Sequence, residues 1–233
     1  MLMTDDGATG PREPASLDAD ELARPDLIPG FPSFFGALFS LVPFAPGSAF
    51  TVVVIGVGSG LVAECFKHFF PNTLMFLADP DPDRLDIARA RIAAYKRVST
   101  FQVDPFVNPL PVGADVTFIG LGGLRLDAGR IHALYERVAA SLKPGGRLIV
   151  ADRFEGGTPA LDERTMQAWI AALKACDPEP PAALIEAMAR GRGASIAQQF
   201  EAMASAGLKD IDVWYKEHLF AVLCADKPDE ASA

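Results

Sequence analysis

The sequence is poor in cysteine, histidine and basic charge. Only three cysteines (Cys65, Cys176 and Cys224) and three histidines occur in 233 residues. With no C-x-x-C pair and no histidine at ligand spacing from a cysteine, neither a disulfide framework nor a metal site is expected. Lysine and arginine number 21 against 30 aspartates and glutamates, a net charge of −9. That balance repels polyphosphate and anionic lipid at long range, so extended nucleic acid and membrane surfaces are disfavoured partners. The opening residues MLMTDDGATG carry acid where a targeting peptide carries basic charge, which predicts a cytoplasmic protein. Long apolar runs are also missing. Leu27 to Ala63 holds no charge, but Pro29, Pro32, Pro43, Pro46, Gly47, Gly56, Gly58 and Gly60 cut it into pieces too short to span a bilayer.

What is present is a chain that is 50% hydrophobic and 22% charged, which excludes a disordered protein and leaves ample material for one core. Residues 1–25, rich in Asp, Glu, Ala, Pro and Gly, are predicted to be a mobile acidic tail, and 26–233 a single domain. The segment PSFFGALFSLVPF (32–44) reads as a capping helix apolar on every side, which with the helical insert closes an apolar pocket above the strand ends, or else covers the sheet or forms a homodimer interface. TVVVIG (51–56) reads as a strand buried on both faces of a parallel sheet. A helix over 60–70, a strand over 73–79, a helix over 82–96, strands over 99–103 and 115–120, a helix over 127–142 and the strand RLIVAD follow. This alternation predicts an α/β fold, a Rossmann-like and mostly parallel sheet with helices on both faces. A helical insert is predicted over 157–206. Beyond it KDIDVWYK and HLFAVLCAD are joined so closely that they must form a hairpin, which makes one strand antiparallel to the rest.

The chemistry concentrates at strand ends. VVVIGVGSGLVAECF carries Gly56, Gly58 and Gly60 between a buried strand and a helix. Glycines there permit close backbone approach, and the helix start offers free N–H donors to a ligand; a tight turn without a ligand is the other reading. The spacing is not the dinucleotide fingerprint, because the third glycine falls one residue early and Leu61 stands in its place. Asp79 closes the second strand, where a carboxylate suits a ribose diol, while Asp81 fits the cap of the next helix. Asp104, followed by Pro105 and Phe106, offers an acceptor and a ring surface suited to adenine.

Taken together, these residues resemble the class I S-adenosylmethionine (SAM) dependent methyltransferases. The resemblance runs from about Ala49 to Ala225 and includes the glycine loop, Asp79, Asp104, GADVTFIG and LKPGGRLIVAD. It implies a seven-stranded sheet of order 3-2-1-4-5-7-6 with strand 7 antiparallel, and SAM as cofactor. It further implies that Gly56, Gly58 and Gly60 face the aminoacyl part, Asp79 with Pro80 the ribose, Asp104 with Pro105 the adenine, and Gly120 and Leu121 the methionine side. One departure is Val54, where the family usually has an acid that orients the glycine loop. The segments LIPGFPSFFGAL, ARARIAAYK, VADRF and FEAMASAGLKDIDVWYKEHLFAVLCA look like their counterparts in the carboxy-SAM synthase subgroup. That subgroup's carboxylate-binding arginine has no match, its position falling near Ala202. The resemblance thus implies methyl transfer to a small, partly apolar acceptor; a carboxy-SAM synthase-like enzyme and a non-catalytic SAM-binding protein are the alternatives. The transfer needs no metal. His218, Tyr215, Arg153 and Asp152, all near strand ends, are the candidates for proton transfer or for substrate binding.

Overall fold

A computed structural model of the protein describes residues 28–229 apart from 29, 122, 123, 125, 177, 178, 181, 190 and 191. The predicted tail over 1–25 lies outside the described residues. Seven strands form one sheet: β1 (Thr51–Ile55), β2 (Leu74–Asp79), β3 (Val98–Gln102), β4 (Ala114–Ile119), β5 (Leu142–Arg153), β6 (Lys209–Glu217) and β7 (Phe220–Asp226). Their spatial order is β3-β2-β1-β4-β5-β7-β6. β1 pairs in parallel with β2 and β4, and β7 runs antiparallel to both of its neighbours. The closing hairpin is therefore as expected, and so is the Rossmann-like order.

The β-branched run of β1 sits at the centre, where both faces must be dry. On one face Val52 and Val54 share a core with α1 (Phe31–Ser40), α2 (Leu61–Phe69) and α3 (Pro82–Arg91), through Phe34, Leu38, Phe66 and Leu85. On the other, Val53 and Ile55 share a core with α4 (Ile131–Ser141) and α7 (Ile196–Ser205), through Leu134, Tyr135, Val138 and Met203. Between these, α5 (Pro159–Cys176) and α6 (Ala182–Ala189) complete the helical insert, and Trp169 and Met188 join the first core. One crossover departs from strand–helix alternation. β3 ends at Gln102 and β4 begins at Ala114 with no helix between them, so this crossover places no helix on the second face at β2 and β3.

Three helix boundaries differ from expectation for local reasons. α1 stops at Ser40 rather than at residue 44, because Pro43 disfavours helical backbone at Val42, and Phe44 instead stacks on Phe50 at 4.3 Å. α3 stops at Arg91 rather than at residue 96; the chain must reverse into β3, and it does so at Arg97 with φ 62°. α4 begins at Ile131, since the Asp127 carboxylate accepts the Gly129 N–H at 3.2 Å and holds a turn ahead of the helix. By contrast Asp81 caps α3, accepting the Asp83 N–H at 3.0 Å, and Ser195 and Gln198 form a reciprocal capping box on α7.

The Phe-rich α1 covers the sheet. Phe34 is fully buried, with Phe220 and Tyr215 each 5.9 Å away edge-on. On the strand beneath, Trp214 faces outward with 53% exposure, its indole N–H donating to Ser40 Oγ at 2.9 Å. Phe34→Ala is expected to destabilise the domain by about 3–5 kcal/mol in urea unfolding; a loss under about 1 kcal/mol would show that α1 is not part of the cooperative core.

Candidate functional site

The strands β1 to β5 end together along one edge of the sheet, and sheet order reverses between β1 and β4, where a crevice opens in folds of this kind. At the end of β1 the chain passes through Gly56, Gly58 and Gly60, all with positive φ, and Gly60 stands at the start of α2. The Gly56 N–H donates to Ala78 O at 2.9 Å, and the Gly60 N–H to Val57 O at 2.8 Å. This loop is anchored from the neighbouring strand. Asp79, with 0% exposure, accepts the Val57 N–H on Oδ2 and the Asp81 N–H on Oδ1, both at 2.9 Å. Burial pushes the Asp79 carboxyl above its usual range, and the two backbone N–H groups pull the other way. Each oxygen thus makes one bond to backbone and could accept a further one, but with no exposed surface neither is reached by a ligand in this conformation.

Around this anchor stand three further groups. Asp104 follows β3; its Oδ1 accepts the Phe106 N–H at 2.9 Å, and it remains 39% exposed. Its Oδ2 lies 3.6 Å from the Arg130 guanidinium, which sits 3.7 Å above the Phe106 ring. Pro80 is exposed beside Asp79, and Pro105 is buried beside Asp104. At the end of β4, Gly120 has φ 133°, and a Cβ there would stand 1.8 Å from Ala151 O, so only glycine fits. Leu121 is left-handed at φ 52°. From the same segment Leu124 reaches over the glycine loop: a Cβ on Gly56 would be 2.6 Å from Leu124 Cδ1.

Asp152 and Arg153 end β5, and both are buried. Burial raises the Asp152 carboxyl, with the Arg153 charge and backbone N–H bonds opposing it, and burial lowers Arg153. Arg153 donates to Met188 O at 3.1 Å. It is thus an interior staple between β5 and α6. Tyr215 and His218 lie on the β6–β7 hairpin. Four strand spacings of about 4.8 Å separate β6 from β1, so Tyr215 stands apart from the glycine loop. The Tyr215 hydroxyl donates to Glu217, and its pKa is pushed up to about 12 by burial and by that carboxylate. His218 is a left-handed turn residue whose Nδ1 is buried without a partner among the described residues.

The edge therefore gathers Gly56, Gly58, Gly60, Asp79, Asp104, Gly120, Leu121 and Asp152. Tyr215 on β6 stands four strands from the glycine loop, while His218, just ahead of β7, lies beside the end of β5. Sequence reasoning did not single out Leu124 or Arg130. Arg130 had a weak signal, lying just ahead of a helix whose start faces the strand ends; Leu124 had none. Ala202, where the carboxy-SAM synthase subgroup would place its arginine, is fully buried on α7 in the second core. Among the described residues no cluster of His, Cys, Asp and Glu could hold a metal, and no helix is long and apolar enough to cross a membrane.

Asp79 generates a pH test. Its raised native pKa means the folded state holds this proton more tightly than the unfolded chain. Its contribution to stability is therefore full below the ordinary carboxyl value of 3.8 and is lost as pH rises through the native value. The stability of the wild type relative to Asp79→Asn is expected to decline from about pH 4 to neutrality; a flat or rising difference would contradict the burial argument. Asp79→Ala, which orphans two buried N–H groups, is expected to lose about 2 kcal/mol.

No protein-family model matches the chain, and no curated protein matches it. Solved structures do. A possible exported protein from Bordetella parapertussis superposes with a TM-score of 0.66 at 21% identity, over 91% of this chain and 80% of that one. The apo form of the SAM-dependent methyltransferase SibL gives 0.58 at 20%, over 89% and 53%. Human N-acetylserotonin methyltransferase in complex with SAM gives 0.59 at 18%, over 85% and 52%. The chain spans about half the length of these two enzymes. At these identities the likeness is one of architecture: this chain has the Rossmann-like fold on which SAM-dependent methyltransferases are built.

Proposed function

We propose that the chain binds SAM in the crevice at the ends of β1, β2 and β4 and transfers its methyl group to a small, partly apolar acceptor. The observation that carries this reading is the convergence, at the point of strand reversal, of a left-handed glycine loop with two strand-end carboxylates, Asp79 and Asp104. Similarity to methyltransferase structures supports it.

The residues present fit the cofactor in kind. Asp79 would take the ribose hydroxyls on its remaining lone pairs, with Pro80 beside it. Asp104 would accept from the adenine amino group, with Pro105 and Phe106 beneath the base. Gly56, Gly58, Gly60, Gly120 and Leu121 would line the amino-acid arm. The site must open first: Leu124 off Gly56, Arg130 off the Phe106 face, and the cover over Asp79, which has no exposed surface. SAM when bound supplies an activated methyl group on sulfur, so the protein's work is to position the acceptor and exclude water. If the acceptor must lose a proton, Asp152 is the better placed group, because β5 pairs directly with β4 and burial raises its basicity. In this reading Arg153 positions Asp152, 3.8 Å away, while Tyr215 and His218 lie on the hairpin side, where an acceptor could extend.

Calorimetric titration of the purified protein with SAM, S-adenosylhomocysteine and NADH tests the reading. Binding of the first two and not the third is expected. Leu124→Ala, which clears the space over Gly56, is expected to tighten S-adenosylhomocysteine, and Asp79→Ala to abolish it. Binding of NADH alone, or of none of the three, would overturn the proposal.

A further inference from the structure

Among the described residues, no strand pairs with the edge strand β3 on the side away from β2. In a parallel pair the N–H and C=O of one residue point the same way, and they alternate along the strand. Arg97 O accepts the Met75 N–H at 2.9 Å, and Val103 N–H donates to Asp79 O at 3.0 Å, so the odd-numbered residues face β2. Val98, Thr100 and Gln102 therefore present their backbone groups outward. β3 itself, VSTFQ, has neither the proline nor the charged side chain that commonly blocks edge pairing.

Beside this edge lies an apolar groove of about 700 Å³, lined by Phe76, Phe101, Val103, Pro109, Leu110 and Pro111 among others. It exists because no helix connects β3 to β4. Phe101 is 40% exposed and packs edge-on against Phe76 at 5.6 Å, and Val112 at the groove's loop is 78% exposed. Exposed apolar surface next to an unpaired edge is the combination expected of an interface.

The charges at the ends of β3 indicate what fits. Lys96 and Arg97 precede the strand, and Asp104 follows it. If a second β3 pairs antiparallel with Thr100 opposite Thr100, every outward group finds a partner: Val98 faces Gln102 of the second copy and Gln102 faces its Val98. Lys96 then falls opposite the second copy's Asp104, at both ends by symmetry. The same register sets each Phe101 diagonal to the other, within reach of aromatic side chains, and merges the two grooves.

We propose that β3 is a self-pairing edge through which two copies of this chain form a twofold dimer with one continuous sheet. The interface is isologous, as closed dimers require. It is independent of α1, whose Phe34 is consumed by the chain's own core.

Light scattering of the full chain is expected to give twice the 24.8 kDa chain mass. Thr100→Pro removes an outward N–H and no bond to β2, and Phe101→Glu charges the groove; each is expected to halve the mass while leaving the circular dichroism spectrum unchanged. Thr100→Cys is expected to cross-link on mild oxidation, since a hydrogen-bonded antiparallel pair sets Cα atoms about 5.5 Å apart, within disulfide range. Neither the wild type nor Val112→Cys should cross-link. A wild type that stays monomeric at all concentrations would overturn the proposal, and so would a dimer that persists in Phe101→Glu and leaves Thr100→Cys unlinked.

Discussion

The Asp79 carboxyl is the contact on which the edge depends. Its two oxygens collect one N–H from the loop after β1 and one from the turn after β2, so a single buried group sets the spacing of the two strand ends and the path of the glycine loop between them. A carboxylate without solvent is expensive, and charge-assisted bonds from backbone N–H groups offset that expense only while both are in place. The loop's glycines then adopt left-handed backbone without side-chain clashes, and α2 starts at Gly60 facing the crevice. Val54 marks the position where the resembled family usually carries an acid. Here it is a core residue paired with Leu77 and Phe118, and Asp79 supplies the anchor for the loop.

From this anchor the structure extends to the helical insert through polar links as well as apolar packing. Leu126 O accepts the Ala194 N–H at 2.8 Å and the Gln199 amide at 3.1 Å, and Gln199 in turn accepts the Tyr135 hydroxyl. Two residues upstream, Leu124 rests against Gly56. The insert, the segment after β4 and the glycine loop are thus mechanically joined. A group seated against the insert and one seated on the glycines would act on the same stretch of chain.

Much of this was legible in the sequence because it is written locally. TVVVIG, the three glycines, Asp79 and the KPGG stop are short patterns whose chemistry follows from neighbours in the chain, and the hairpin follows from the lack of residues between two strands. Asp81 declared itself as a cap in the same way. What was not legible is decided by partners far away in sequence. Nothing around Arg153 signals that it will be sealed against Met188, and nothing around Leu124 signals that it will lie on Gly56. The open face at β2 and β3 was hidden for a different reason: the stretch between β3 and β4 shows no helical period, but the consequence, a groove beside a bare edge, appears only once the strands are ordered. Tyr215 and His218 are near strand ends in sequence, but only strand order shows that Tyr215 lies on the far edge strand and His218 beside the end of β5.

Hydrogen–deuterium exchange with and without S-adenosylhomocysteine tests the central claim most directly, since it reads the loop rather than the outcome of a reaction. Slowed exchange on ligand addition is expected in peptides covering Gly56 to Gly60, Asp79 to Asp81 and Gly120 to Leu126, where the cofactor would rest. Protection confined instead to the smaller cavity among Gly156, Ser195 and Lys216, with the glycine loop unchanged, would contradict it.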